Sequence, residues 1–149
     1  MLASASPRRA ALLDQIGLSY QIQPGDVDET ALQGEEPEHY VRRLANAKAR
    51  HVLRLAPPGA VVIGADTVVV LDGCILGKPR DEQEACEMLL KLTGRAHEVL
   101  TGFAVIDTER EEVNCVRTLV RFASLSRDTI ERYVATGEPA DKAGSYGVQ

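Results

Sequence analysis

Apolar residues recur at two spacings along this chain, and the change of spacing marks its elements. Residues 60–71 are almost wholly apolar and rich in β-branched side chains, which reads as a buried strand. The run follows a Pro57-Pro58-Gly59 break and ends at Asp72-Gly73, a strong hairpin signal, so residues 74–76 are the return strand. Residues 98–106 and 113–122 are further strand candidates, and residues 20–23 a short one. Helical spacing fills the intervals. Ser6 caps a helix with Pro7 at its first position, Leu12, Leu13 and Ile16 as its apolar side, and Gly17 as its stop. Pro37 starts a long helix to about Leu55, with an inward stripe of Val41, Leu44, Lys48 and Val52. Asp81 caps a third, with Glu84 placed as in a capping box and Ala85, Met88, Leu89 and Leu92 facing inward. Ser126 caps a last helix carrying Ile130, Tyr133 and Val134, stopped by Gly137. Residues 138–149 read as a Gly-rich polar loop. Strands and helices mix without strict alternation, so an α/β or α+β domain with a mixed sheet is expected.

Two residues break this pattern. Asp66 is a carboxylate within the apolar strand, expensive to desolvate unless it is paired, hydrogen-bonded or bound to a metal. Gly64, two residues before it, suggests a bulge or a close approach by a ligand. Lys48 lies four residues from both Leu44 and Val52, so it points inward. It either snorkels along the stripe to water or reaches an anion.

Composition narrows the classes. The 149 residues are 44% hydrophobic and 26% charged, ordinary for a soluble globular domain. With 22 acidic and 17 basic residues the net charge is -5, which argues against general nucleic-acid binding. No apolar run approaches the roughly 18 residues of a membrane span, and no signal peptide is evident, so the cytoplasm is the expected compartment. Cys74, Cys86 and Cys115 lack metal or disulfide spacing and read as buried small hydrophobes; His39, His51 and His97 are scattered.

The remaining chemistry is that of an anion site. Ser4 and Ser6 precede a helix N-terminus, where free amides and the helix dipole favour phosphate. Arg8 and Arg9 lie in that helix's first turn, unfavourable to the dipole unless an anion sits among them. Lys48 and Lys78 could reach the same anion, and Glu29 and Asp66 could hold the divalent ion that accompanies a polyphosphate.

Together, residues 3–9 (Ala-Ser-Ala-Ser-Pro-Arg-Arg), 63–69 (Ile-Gly-Ala-Asp-Thr-Val-Val), Gly77-Lys78-Pro79, 92–97 (Leu-Thr-Gly-Arg-Ala-His) and 141–149 (Asp-Lys-Ala-Gly-Ser-Tyr-Gly-Val-Gln) resemble the Maf family of nucleoside triphosphate pyrophosphatases. The likeness runs through the whole chain in the family's order and spacing. It implies a single α/β domain over residues 1–149, similar to inosine triphosphate pyrophosphatase folds. In that fold a twisted mixed sheet is flanked by helices, and two lobes face a central cleft. It implies hydrolysis of a nucleoside triphosphate to monophosphate and pyrophosphate with a divalent cation, Mg or Mn, as a nucleotide-pool house-cleaning activity. On the family pattern Asp66 matches the general base, with a metal-ligand role equally compatible. Ser4, Arg9, Glu29, Lys48 and Lys78 match polar site positions. Arg8, Thr67 and Gln149 match the dTTP/UTP subgroup; the subgroup acting on 7-methyl-GTP carries Trp, Gln and Glu at those places. A purine pyrophosphatase of the same fold and a non-catalytic nucleotide-binding regulator linked to septum formation stand as alternatives. The partner expected is the nucleotide, with a homodimer left open and neither nucleic acid nor membrane expected. The family pattern continues past Gln149, so a C-terminal segment of the family is expected to be lacking.

Overall fold

The long apolar run forms a strand, and the sheet is built around it. In the computed structural model, which describes residues 1–147, the elements are β1 (Leu2–Ala3), α1 (Pro7–Gln15), α2 (Pro37–Leu53), β2 (Val62–Leu71), β3 (Cys74–Leu76), α3 (Glu82–Leu92), β4 (Ala96–Ile106), β5 (Glu111–Arg121) and α4 (Arg127–Val134). Two 3₁₀ turns, Glu138–Asp141 and Ala143–Ser145, follow α4. The strand order is β1-β2-β4-β5, with β3 paired to β2. β1 is parallel to β2, Ala3 standing opposite Gly64. β3 is antiparallel to β2, Val69 standing opposite Leu76. The sheet is therefore mixed. The chain divides into two compact units: Met1–Asp66 with Thr101–Val116, and Thr67–Leu100 with the segment from Arg117 onward.

In the first unit, α2 buries Val41, Leu44, Ala45, Ala49 and Val52 completely. These lie on one face because they recur at three- and four-residue intervals. Two strand glycines set how closely that face approaches. A Cβ on Gly64 would stand 2.3 Å from the carbonyl oxygen of Ala45, and one on Gly102 would stand 2.3 Å from that of Val41. The close approach expected at Gly64 is thus made by the helix backbone. Ala45 and Ala49 join Ala3, Val52, Val62, Ala104 and Ile106 in one core.

α1 departs from its expected packing. It has no buried residue, and Leu12 and Ile16 are 60% and 69% exposed. Nine residues give it little area to cover, and it is held by its ends and by the Tyr20 hydroxyl, which lies 2.8 Å from the Ala10 carbonyl. Residues 20–23 form only a bridge between Ile22 and Leu2, because β1 offers just two residues to pair with.

In the second unit, Asp72 and Gly73 both have positive φ, 51° and 78°, as the tight β2–β3 hairpin requires. Asp81 caps α3 by accepting from the Glu84 amide at 2.8 Å. The return half of the capping box is displaced by one residue: the Glu84 carboxylate accepts from the Arg80 amide at 2.7 Å. Ala85 and Leu89 of α3 pack on Ile130 and Val134 of α4.

The tail, expected as a Gly-rich polar loop, forms two 3₁₀ turns among the described residues and packs inward. Pro139, Lys142, Gly144 and Ser145 are buried, and Ser145 donates to the Met88 sulfur at 3.2 Å. Gly144, at φ 67°, lies against Val69, where a Cβ would stand 2.6 Å from a methyl. The cysteines are not buried either: Cys74 is exposed, and Cys86 and Cys115 are half-buried. Among the described residues no helix is long and apolar enough to cross a membrane.

Candidate active site

Strand alternation decides what Asp66 meets. Gly64 and Asp66 lie two apart in β2, so they share the face on which α2 rests. Lys48 sits one helical turn beyond Leu44 on that helix. Its ammonium donates to Asp66 Oδ1 at 2.6 Å and pairs with Glu29 Oε1 at 2.6 Å. The Lys48 and Asp66 side chains are each only 12% exposed, while that of Glu29 is 55% exposed. Lys48 therefore does not snorkel to water. It is a shared counter-ion between a buried carboxylate and a solvent-facing one.

Arg9 approaches from the first turn of α1. Its Nη1 donates to Ser4 Oγ and to the Ala65 carbonyl, both at 2.9 Å, and Ser4 Oγ also accepts from the Ser6 amide at 3.2 Å. Ser6 caps α1 by backbone conformation only, without a side-chain cap bond. These contacts fold the guanidinium back beside Asp66. Burial pushes the Arg9 pKa down, and the Asp66 charge offsets this. Burial also raises the Asp66 carboxyl above its ordinary range; the hydrogen bond and charge of Lys48 pull it part of the way back.

The acidic loop is held in place by contacts that residue spacing did not suggest. Asp28 Oδ1 accepts from the Thr30 amide at 2.8 Å, an Asx turn around Glu29. The Tyr40 hydroxyl donates to the Glu29 carbonyl at 2.8 Å. Arg43 donates to the Thr30 carbonyl at 3.1 Å and grips Glu35 through both carboxylate oxygens, at 2.6 and 2.7 Å. Arg43 holds the Glu35 carboxyl down at about 2. Gly25 passes directly over Lys48, where a Cβ would stand 2.7 Å from its carbonyl oxygen. Tyr40 and Arg43 lie on the same helix as Lys48, so one rigid element carries the central cation and the clamps on its partner loop.

The first unit thus brings together Ser4, Arg9, Glu29, Lys48 and Asp66, with Ser6 bonded to Ser4. Arg8 is exposed beside Arg9. Thr67 is half-buried, and alternation in β2 turns its side chain to the other face from Asp66. Lys78 is exposed in the second unit, between Gly77 and Pro79. Gln149 lies outside the described residues.

A divalent cation can be tested against this donor set. Among the described residues no three His, Cys, Asp or Glu side chains come together as a ready-made cage. Glu29 and Asp66 nevertheless converge on one ammonium at 2.6 Å each, so one small cation can serve both. Two carboxylates, completed by water and phosphate oxygens, suit Mg or Mn. The residues fit the ion.

A family model described as Maf-like protein matches residues 1–149. The dTTP/UTP pyrophosphatase of Symbiobacterium thermophilum is 52% identical over 149 residues, covering 100% of this chain and 76% of that protein. The dTTP/UTP pyrophosphatase of Geotalea uraniireducens is 53% identical over 151 residues, covering 100% of this chain and 77% of that protein. Among solved structures, the Staphylococcus aureus Ham1 protein aligns with a TM-score of 0.52 at 18% identity, covering 80% of this chain and 68% of that one, a likeness of fold.

Proposed function

The chain belongs to the Maf-like protein family, and from that membership we propose that it hydrolyses dTTP and UTP to the nucleoside monophosphate and pyrophosphate. The observation that carries the reading is the buried Asp66 carboxylate held by Lys48 beside Arg9. Water attacks the α-phosphorus, and Asp66 orients it and takes its proton. A carboxyl raised by burial is a better base than an exposed one. Lys48 and Arg9 meet the charge that builds on the departing pyrophosphate.

Lys48 couples binding to basicity. In the free protein its ammonium is spent on two carboxylates. A triphosphate competes for it, and each hydrogen bond withdrawn from Asp66 removes a contact that lowers the Asp66 pKa. Substrate arrival therefore makes the base stronger. Glu29 and Asp66 would hold a divalent cation, which supplies Lewis-acid charge at the phosphate oxygens when bound. Arg8, Thr67 and Gln149 are the residues proposed to select the pyrimidine.

The test is pyrophosphate release across a panel of dTTP, UTP, other canonical triphosphates and 7-methyl-GTP, each with Mg, with Mn and with chelator. The reading expects dTTP and UTP to lead and chelator to stop release. Release from 7-methyl-GTP at equal or better kcat/KM contradicts the pyrimidine assignment. No release from any triphosphate contradicts the activity.

A further inference from the structure

Between Gln23 and Glu36 the chain forms no helix or strand, and no residue of that stretch is buried. Leu32, its largest apolar side chain, is 60% exposed. Apolar burial therefore does not hold this loop in place, and polar contacts do. They concentrate at Glu29. The peptide that follows Glu29 is gripped at both polar ends: its carbonyl accepts from the Tyr40 hydroxyl at 2.8 Å, and its amide, that of Thr30, donates to Asp28 Oδ1 at 2.8 Å. The next carbonyl, of Thr30, accepts from Arg43 Nη2 at 3.1 Å. Orienting a peptide plane orients the Cα–Cβ bond beside it. These contacts thus aim the Glu29 side chain, whose carboxylate meets Lys48 Nζ at 2.6 Å.

Arg43 is itself braced. It holds both oxygens of Glu35, whose side chain is 7% exposed, and Glu35 Oε2 also accepts from the Leu32 amide at 3.0 Å. A bidentate pair fixes a guanidinium in orientation, which a single surface contact does not. Tyr40 and Arg43 are three residues apart and so neighbours on the surface of α2, and the guanidinium lies 5.5 Å from the Tyr40 ring centroid. The group that this clamp carries to the site is the Glu29 carboxylate.

We propose that Tyr40 and Arg43 are positioning residues: acting through the backbone at Glu29 and Thr30, they hold the Glu29 carboxylate where it and Asp66 can share one divalent cation, and so set the affinity for that ion. This rests on the preceding section's reading of Glu29 and Asp66 as cation ligands. Neither Tyr40 nor Arg43 touches the ion or the nucleotide on this account. On an unclamped loop, Glu29 would have to be ordered each time the ion binds, and that entropy cost weakens binding.

The experiment measures the affinity for Mn alone, by electron paramagnetic resonance, in wild type, Tyr40→Phe, Arg43→Met, Glu29→Ala and each clamp variant combined with Glu29→Ala. Pyrophosphate release from dTTP is then followed against Mn concentration. Tyr40→Phe loses one hydroxyl and is expected to weaken Mn about three- to tenfold, and Arg43→Met about tenfold or more. The Mn concentration for half-maximal rate should rise in step, with kcat at saturating Mn close to wild type. Combined with Glu29→Ala, neither clamp variant should weaken Mn further, because both act through Glu29. Unchanged Mn affinity in the clamp variants overturns the proposal. So does a loss that adds in full to that of Glu29→Ala, which marks a general loosening of the fold. If Arg43→Met does not fold, Tyr40→Phe, which keeps the ring, decides by the same comparison. A wild type that does not bind Mn, or a Glu29→Ala protein that binds it equally well, overturns the cation-ligand reading instead. In that event zero-length carbodiimide coupling of Glu29 to Lys48, read by peptide mass spectrometry, still decides the positioning: a lower yield in the clamp variants supports it, and an unchanged yield overturns it.

Discussion

Replacing Asp66 with Asn separates the chemistry of this site from its stability. The side chain keeps its shape and an oxygen where Lys48 Nζ now donates at 2.6 Å, and Lys48 keeps Glu29 at 2.6 Å. The charge that burial disfavours is removed, while a charged hydrogen bond becomes a neutral one. These changes oppose each other, so the urea-unfolding free energy at pH 7 is expected to move by less than about 1 kcal/mol. Turnover behaves differently. A general base contributes about 10²- to 10⁴-fold, or about 2.7–5.4 kcal/mol of barrier. Asn can neither take the proton nor hold a cation with the same charge. The pH dependence has a definite sign. The Asp66 carboxyl is raised in the folded state above its ordinary 3.8, so the stability it contributes is fully present below that value and is lost as pH rises through its folded pKa. Asp66→Asn lacks this loss and is expected to gain on wild type in urea titrations as pH rises. The assays are coupled pyrophosphate release and urea unfolding over a pH series that starts at the ordinary carboxylate value and runs past neutrality. Near-normal turnover in a folded Asp66→Asn protein would refute the base assignment. Loss of folding would refute the claim that the two roles separate.

Three further outcomes follow from the same geometry. Lys48→Met leaves Asp66 buried without its counter-ion. It should cost about 3 kcal/mol at neutral pH, less once Asp66 protonates in acid, and weaken a non-hydrolysable analogue at least about tenfold; unchanged analogue affinity by calorimetry would remove Lys48 from the phosphate site. Gly64→Ala places a methyl 2.3 Å from the Ala45 carbonyl oxygen, so α2 must lift; a loss of about 3 kcal/mol or more in unfolding is expected, with lower turnover because α2 carries Lys48, and a wild-type melting temperature would show that the helix has room. Combining Arg8→Trp, Thr67→Gln and Gln149→Glu should erode the dTTP preference over 7-methyl-GTP in kcat/KM, since the amide donors at Gln149 are lost; an unaltered preference would move specificity elsewhere.

Much of the architecture was legible because local rules and tertiary packing agree. Asp72-Gly73, Asp81 with Glu84, and Ser126 each announce a turn or cap by chemistry that acts within a few residues, and each is found at that place. Lys48 was legible as an inward cation by period alone. Its partners were not, because the link to Glu29 and Asp66 depends on α2 lying against β2, which the close approach at Gly64 makes possible. The exposed face of α1 shows the limit of periodicity: Leu12 and Ile16 have the right spacing but no described neighbour to bury them. The packing of the tail was not legible for the opposite reason. Its glycines and polar residues resemble a solvated loop, yet Gly144 is there for close contact with Val69, and Ser145 is buried against Met88. His97 gave no signal beyond its place in a family-like segment, since its partners lie 25 and 49 residues away in Phe122 and Tyr146.

The central claim is that a water held by Asp66 attacks the α-phosphorus of a nucleoside triphosphate. Hydrolysis of dTTP in ¹⁸O-labelled water tests it most directly, with products separated and weighed by mass spectrometry. Attack at the α-phosphorus predicts dTMP and pyrophosphate in equal amounts, with the label in dTMP alone. Label in the pyrophosphate, or release of dTDP and inorganic phosphate, would contradict the account at its root.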